Sequence, residues 1–161
     1  MTNEFMEMIA CTTPDQVFEQ VKRWSSDLTD RQHLVRSTIL DIHADIERLL
    51  KQILYRHQLI LVFESDDTAE YEEHKRALQK SITGLNFATV HRILRPALDA
   101  FPSPDLRDIS GINELRNNVT HAGRLGDILY KNRSPFEDPD CLAQVFLEGW
   151  AIRKELGHFN E

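Results

Sequence analysis

Residues 35–53 read VRSTILDIHADIERLLKQI, and this stretch decides the fold. Its apolar residues recur at alternating steps of four and three, which places one continuous stripe along a long helix. The stripe consists of Val35, Ile39, Ile42, Ile46, Leu49 and Ile53. Because it lasts fewer than about four heptads before a run of carboxylates at 64–73, we expect it to pack inside one domain or in a dimer.

Local chemistry marks four helix starts. At three of them a capping side chain precedes a proline and an acid follows, which suits the first turn of a helix. These three are Thr13-Pro14-Asp15, Ser103-Pro104-Asp105 and Asp138-Pro139-Asp140. The fourth, Thr29-Asp30-Arg31-Gln32, reads as a capping box without the proline.

Apolar spacing predicts the later helices. One runs over 85–101, and Pro96 should kink or shorten it. The next runs over 103–121, with Gly123 supplying a left-handed cap. The last begins at Asp138. No segment alternates with period two, so we predict no sheet.

These patterns predict an all-α protein, a helical bundle of about five to six helices in a single domain over residues 1–161. A chain of 161 residues can bury a core without disulfide or metal. Cys11 and Cys141 lie far apart in sequence and neither has a CxxC partner, so we expect buried free thiols rather than a disulfide or a zinc site. A short flexible N-terminus should precede the bundle. A polar loop at about 124–137 joins the last two helices, and loops of this length are often functional.

The formal net charge of −7 argues against binding nucleic acid over the whole surface, although a local basic groove stays open. The sequence has no apolar run of bilayer length and no basic secretory start, so we expect a cytoplasmic protein that does not contact a membrane. The six carboxylates of 64–73 favour a solvated loop and helix start over a metal site. His43 and Glu47, four residues apart, likewise favour solvent exposure or pairing over metal binding.

The stretch Arg116-Asn117-Asn118-Val119-Thr120-His121 carries the main chemical hypothesis. Asn117 and His121 lie about 40° apart around a helix, whereas Arg116 lies about 140° from His121. Arg116 and His121 therefore converge only through the long arginine side chain, a distorted terminal turn or a partner subunit. An arginine fork suits a phosphodiester, and a histidine exchanges protons near neutral pH. Alternatively, the histidine simply ends the helix, and the arginine and asparagine pair with acids on the stripe helix.

Residues 112–123 read INELRNNVTHAG and resemble the signature of the HEPN superfamily. That signature is an arginine, usually followed by a polar residue, then a short spacer and a histidine near the end of a late helix in an α-helical bundle. The resemblance implies an RNA-binding protein and a metal-independent endoribonuclease of toxin, defence or stress type, acting as a homodimer without a cofactor. It implies that Arg116 binds the scissile phosphate, that His121 is the general acid or base, and that Asn117 orients the ligand or the histidine.

In the adjoining loop, Arg124, Lys131 and Arg133 are candidates for RNA binding, although they could equally be a solvated loop. The expected partners are RNA, a cognate antitoxin or regulatory protein, and a second copy of the chain. The alternative, from a different class, is a non-catalytic regulatory or protein-interaction module, because other superfamily members lack demonstrated catalysis. Trp24 and Trp150 are predicted to anchor the core or an interface rather than to stack on bases.

Overall fold

A computed structural model describes residues 1–24, 31–65, 68–101 and 103–159. Within these ranges the helices are α1 (Asn3–Ile9), α2 (Pro14–Trp24), α3 (Gln32–Ser65), α4 (Thr68–Thr83), α5 (Phe87–Ala100), α6 (Ile109–His121) and α7 (Pro139–Phe159). The same ranges contain no strand, and their β-type pairing is limited to an isolated bridge between Tyr130 and Arg133. The all-α prediction is confirmed, with at least one helix more than predicted.

Helix α3 is the centre of the bundle, as its apolar stripe predicts. All six stripe residues are buried within the chain, and helix α7 crosses α3 closely. At Gly149 of α7 an added Cβ would lie 2.6 Å from Cγ2 of Ile42, so only a glycine allows this approach without a shift. Because the chain's own helices cover the stripe, it is not an open seam for a second copy. The prediction of a dimer therefore loses this support and rests on the family resemblance.

Two of the predicted helix starts are confirmed. Helix α2 begins at Pro14, where Thr13 Oγ1 accepts the backbone N–H of Gln16 at 3.4 Å. Helix α7 begins at Pro139, where Asp138 Oδ1 accepts the backbone N–H of Asp140 at 2.9 Å. The predicted capping residues Thr29 and Asp30 lie outside the described residues, as do Asp66 and Asp67 of the carboxylate run.

The start of α6 and the cap that follows it differ from the prediction, whereas the predicted end at His121 is confirmed. The segment after Ser103 forms a 3-10 turn, Asp105–Asp108, whose tighter backbone bonds accompany the burial of Leu106. Helix α6 then ends at His121, and Ala122 leaves it in an extended conformation. Gly123 therefore does not supply a left-handed cap, and no glycine in the described ranges has a positive φ. Helix α5 continues past Pro96 to Ala100, so the proline does not end it.

The N-terminal segment, predicted to be short and flexible, contains helix α1. Phe5 and Met8 on α1 are buried in the core, and Thr2 Oγ1 caps the helix through the backbone N–H of Phe5. The missed signal is Thr2 followed by an apolar residue three positions later. Trp24 and Trp150 are both buried, which confirms their prediction as core anchors.

The connection between α6 and α7 is more apolar inside than the predicted polar loop. Ile128, Tyr130 and Phe136 are buried beneath it, and a short 3-10 turn, Leu125–Asp127, opens it. Cys141, at the start of α7, is a buried free thiol as predicted, whereas Cys11 is free but partly exposed. Within the described ranges, none of the helices combines the length and apolar composition needed to cross a membrane.

Candidate functional site

Arg116 lies partly exposed on α6 and holds its neighbour's side chain. Its Nη1 donates to Asn117 Oδ1 at 3.0 Å, and its backbone carbonyl accepts Thr120 Oγ1 at 2.8 Å. In the described part of the chain, Arg116 forms no ion pair with a carboxylate. The alternative in which Arg116 pairs with acids on α3 is thus not what the structure has. Its remaining N–H groups are available for a phosphate.

His121 is the last residue of α6, and its imidazole is exposed. Among the residues that the structure describes, nothing forms a hydrogen bond or ion pair with its side chain. The ring lines an open cleft of about 750 Å³ between α6 and the loop that follows. An exposed histidine without a partner at a cleft of this size can exchange a proton with a bound ligand.

The structure separates the predicted site residues into two groups. His121, Arg124 and Lys131 line the cleft, whereas Arg116, Asn117 and Arg133 do not. The regular course of α6 up to His121 explains this, because positions five apart point in different directions around a helix. Two of the three routes to convergence remain within this helix geometry, namely the reach of the arginine side chain and a partner subunit.

Lys131 and Arg133, predicted to bind RNA, are held by carboxylates of their own chain. Lys131 Nζ lies 2.6 Å from Glu148 and 3.2 Å from Asp108. Burial lowers the pKa of Lys131. The hydrogen bonds to Glu148 and Asp108, and the charges of these carboxylates, raise it by more than burial lowers it, so the pKa lies above its ordinary value. Arg133 Nε donates at 2.6 Å to Asp138, the capping residue of α7. These pairs fasten the loop to α7.

A tight turn brings Lys131 to the cleft. Tyr130 and Arg133 exchange backbone hydrogen bonds of 2.7 and 3.1 Å, and the two residues between them have φ of 49° and 67°. This left-handed pair is the pattern of a two-residue hairpin turn, which Asn132 tolerates more readily than Lys131 does. Lys131 adopts this conformation while its side chain is held by Glu148 and Asp108.

Beneath the turn, Tyr130 is buried and its hydroxyl donates to Glu148 Oε2. Gln144 Nε2 also donates to Glu148, at 2.9 Å. Burial, and then the hydrogen bond to Glu148, raise the pKa of Tyr130 far above its ordinary value. A phenol with a raised folded pKa stabilises the fold below the unfolded pKa of about 10, and that stability is lost as pH rises past it.

We expect Tyr130→Phe to reduce the loss of unfolding free energy that the parent shows as pH rises. At pH 7 the variant should lose about 1–2 kcal/mol, because the acceptor Glu148 loses a buried donor. Between pH 9 and 11 the parent should lose stability more steeply than the variant, which has no phenol to ionise at this site. Urea unfolding across that pH range measures both slopes, with Tyr71→Phe as the control. Parallel slopes for parent and Tyr130→Phe would contradict the assigned role.

A buried polar contact ties α3 to α6 next to Arg116. His43 is buried, stacks on Phe87 with ring centroids 4.5 Å apart, and places Nε2 3.1 Å from Asn113 Oδ1. Its Nδ1 lies 4.0 Å from Glu47. Burial is the main cause of a lowered pKa for His43 and outweighs the hydrogen bond to Asn113. Glu47 pairs more closely with Lys51, whose Nζ lies 2.8 Å from Glu47 Oε1. Among the described residues no group of three or more His, Cys, Asp or Glu could hold a metal.

Sequence reasoning missed four polar residues that also line the cleft. They are Glu114, Asn118, Asp127 and Asn132. A signal for two of them was present, since Glu114, Asn118 and His121 stand at the first, fifth and eighth positions of one helical face. The other two lie in the loop, whose path no local pattern gives.

The fold and the cleft together define an all-α protein with an open surface cleft that combines both signs of charge. Comparisons with protein-family models, with curated proteins and with solved structures found no match to this chain. The resemblance to the HEPN signature therefore rests only on the motif at residues 112–123 and on the all-helical architecture.

Proposed function

We propose that this chain is an HEPN-like RNA-binding protein that cleaves RNA without a metal, in the cytoplasm and as a homodimer. The observation that supports the proposal most is the state of His121, which is exposed, without a partner among the described residues, and at the edge of a cleft. Arg124 lines the same cleft and likewise forms no ion pair within the described ranges. A proton-transfer group and a cation at one cleft suit a phosphodiester.

The reaction needs no group beyond the RNA and the protein side chains. The 2′-hydroxyl oxygen attacks the adjacent phosphorus while a base takes its proton, and the bond from phosphorus to the 5′-oxygen breaks. The leaving 5′-oxygen takes up a proton, which leaves a 2′,3′-cyclic phosphate and a 5′-hydroxyl. His121 supplies one of these two proton transfers, and arginine stabilises the charge that grows on the phosphoryl oxygens.

Arg116 and Asn117 adjoin the cleft without lining it, which favours a shared site. In a symmetric dimer that brings Arg116 of one copy to the cleft of the other, the second Arg116 reaches the first cleft in the same way, so both sites are completed together. The hydrogen bond to Asn117 holds the guanidinium of Arg116 while leaving its other donors for the phosphate. A cognate antitoxin or regulatory protein would cover the same surface.

RNA binding by Arg116→Ala tests the proposal. We expect the variant to bind a fluorescent single-stranded RNA roughly tenfold to hundredfold more weakly than the parent, because a charge-assisted contact to phosphate is lost. The slope of log Kd against log salt should fall by about one unit. Arg76→Ala, on α4 and away from the cleft, is the matched control and should bind as the parent does. Equal affinity of Arg116→Ala and the parent, at every salt concentration, would remove Arg116 from the site.

A further inference from the structure

One face of α6 lays three polar side chains along the cleft. Glu114, Asn118 and His121 stand at the first, fifth and eighth positions of that face, and all three line the cleft. Seven residues of helix rise by about 10.5 Å, so Glu114 and His121 mark the two ends of a strip. The distance from the hydrogen-bonding edge of a base to the phosphate of the same nucleotide is similar to this rise.

The loop supplies the opposite wall of the cleft. Arg124, Asp127 and Asn132 line it, together with Leu129, whose side chain is 55% exposed. In the described part of the chain, the carboxylates of Glu114 and Asp127 form no ion pair and accept no hydrogen bond. Two unpaired carboxylates repel the phosphodiester backbone of RNA. In an RNA-binding cleft their partners are therefore the bases. Carboxylates accept hydrogen bonds from N–H groups, and RNA carries such groups on its bases.

The four bases differ in what they offer a carboxylate. Guanine presents two adjacent donors, N1–H and the N2 amino group, which match the two oxygens of one carboxylate. Adenine and cytosine place an acceptor nitrogen beside their amino group, and uracil has one N–H between two carbonyls, so each of these sets a lone pair against the carboxylate. Sequence-specific recognition of RNA targets unpaired bases, whose edges are free. A cleft of about 750 Å³ is large enough for one nucleotide.

We propose that the cleft binds a guanine of single-stranded RNA, with the carboxylate of Glu114 accepting from N1–H and the N2 amino group. His121 then lies at the phosphate end of the same nucleotide, beside Arg124. Asp127 adds a second acceptor from the loop, and Leu129 packs on the face of the base. The inference rests on the proposed function and names the substrate class of the same site.

The test compares four fluorescent RNA decamers of uridine that carry a single central guanine, adenine, cytosine or inosine. Binding is measured in EDTA at one salt concentration. We expect the guanine decamer to bind about tenfold or more tightly than the adenine and cytosine decamers. Inosine keeps N1–H but lacks the N2 amino group, so its affinity should fall between them. Glu114→Gln should abolish the preference by weakening binding of the guanine decamer and tightening that of the adenine decamer, since the charge that faces the acceptor nitrogen of adenine is gone.

Glu73→Gln removes the same charge from α4, outside the cleft, and should keep the preference for guanine. Equal binding of all four decamers by the parent would overturn the inference while leaving the proposed function in place. A guanine preference that survives in Glu114→Gln would also overturn it. Failure to bind any decamer would sink the proposed function together with the inference.

Discussion

Replacing His121 with alanine should lower the rate of RNA cleavage by roughly 10² to 10⁴-fold, the usual contribution of a positioned proton-transfer group. The fold should be unaffected, because the imidazole is exposed and has no bond to the described residues. Surface substitutions of that kind change stability by less than about 0.5 kcal/mol. The combination of lost activity and retained fold would place the chemistry at the end of α6.

The measurement is a cleavage time course on a mixed pool of structured and single-stranded RNAs, with circular dichroism and urea unfolding on the same samples. His57→Ala removes another exposed histidine, from α3, and should cut as fast as the parent. If His121→Ala cuts RNA at the parental rate, or if it unfolds, the role given to His121 is wrong.

Phe146→Ala should cost about 3–5 kcal/mol of the free energy of unfolding, which is a large part of the 5–15 kcal/mol of a typical domain. Phe146 on α7 is 1% exposed, and its ring meets Trp24 edge-on with centroids 5.4 Å apart. The variant leaves a cavity where α2 packs on α7, which cannot close without moving both helices.

Equilibrium urea unfolding gives the size of that effect. Leu147→Ala, at the next position but only partly buried, is the matched control and should cost clearly less. A loss under about 1 kcal/mol for Phe146→Ala, with an unchanged urea dependence, would mean that this part of the core is not packed as described.

Most of the helix positions could be predicted from the sequence because they follow from local patterns. The stripe on α3 and the proline starts of α2 and α7 need no long-range information. The start of α6 and the cap after it were predicted wrongly for a physical reason, whereas the end at His121 was predicted correctly. Burial of Leu106 favours a 3-10 turn after Ser103, and the loop leaves Ala122 extended, so tertiary packing overrides the local cap signals.

The candidate site was predictable only in part. Helical geometry correctly gave the divergence of Arg116 from His121, and the structure places His121 alone of the two at the cleft. The pairing of Lys131 with Glu148 could not be read from the sequence, because it joins positions 17 residues apart through a loop. The spacing of Glu114 and His121 predicts that both lie on one face of α6. That this face forms a wall of a cleft depends on the path of the loop, which the spacing does not give.

We propose that this chain cleaves RNA through the RNA's own 2′-hydroxyl. The most direct measurement incubates the purified protein in EDTA with one single-stranded RNA sequence, and with the same sequence made entirely of 2′-deoxynucleotides. We predict cleavage of the RNA alone, with a 2′,3′-cyclic phosphate on the upstream product detected by mass spectrometry. Cleavage of the 2′-deoxynucleotide sequence as well, or RNA products ending in a 3′-hydroxyl, would mean that the 2′-hydroxyl is not the nucleophile.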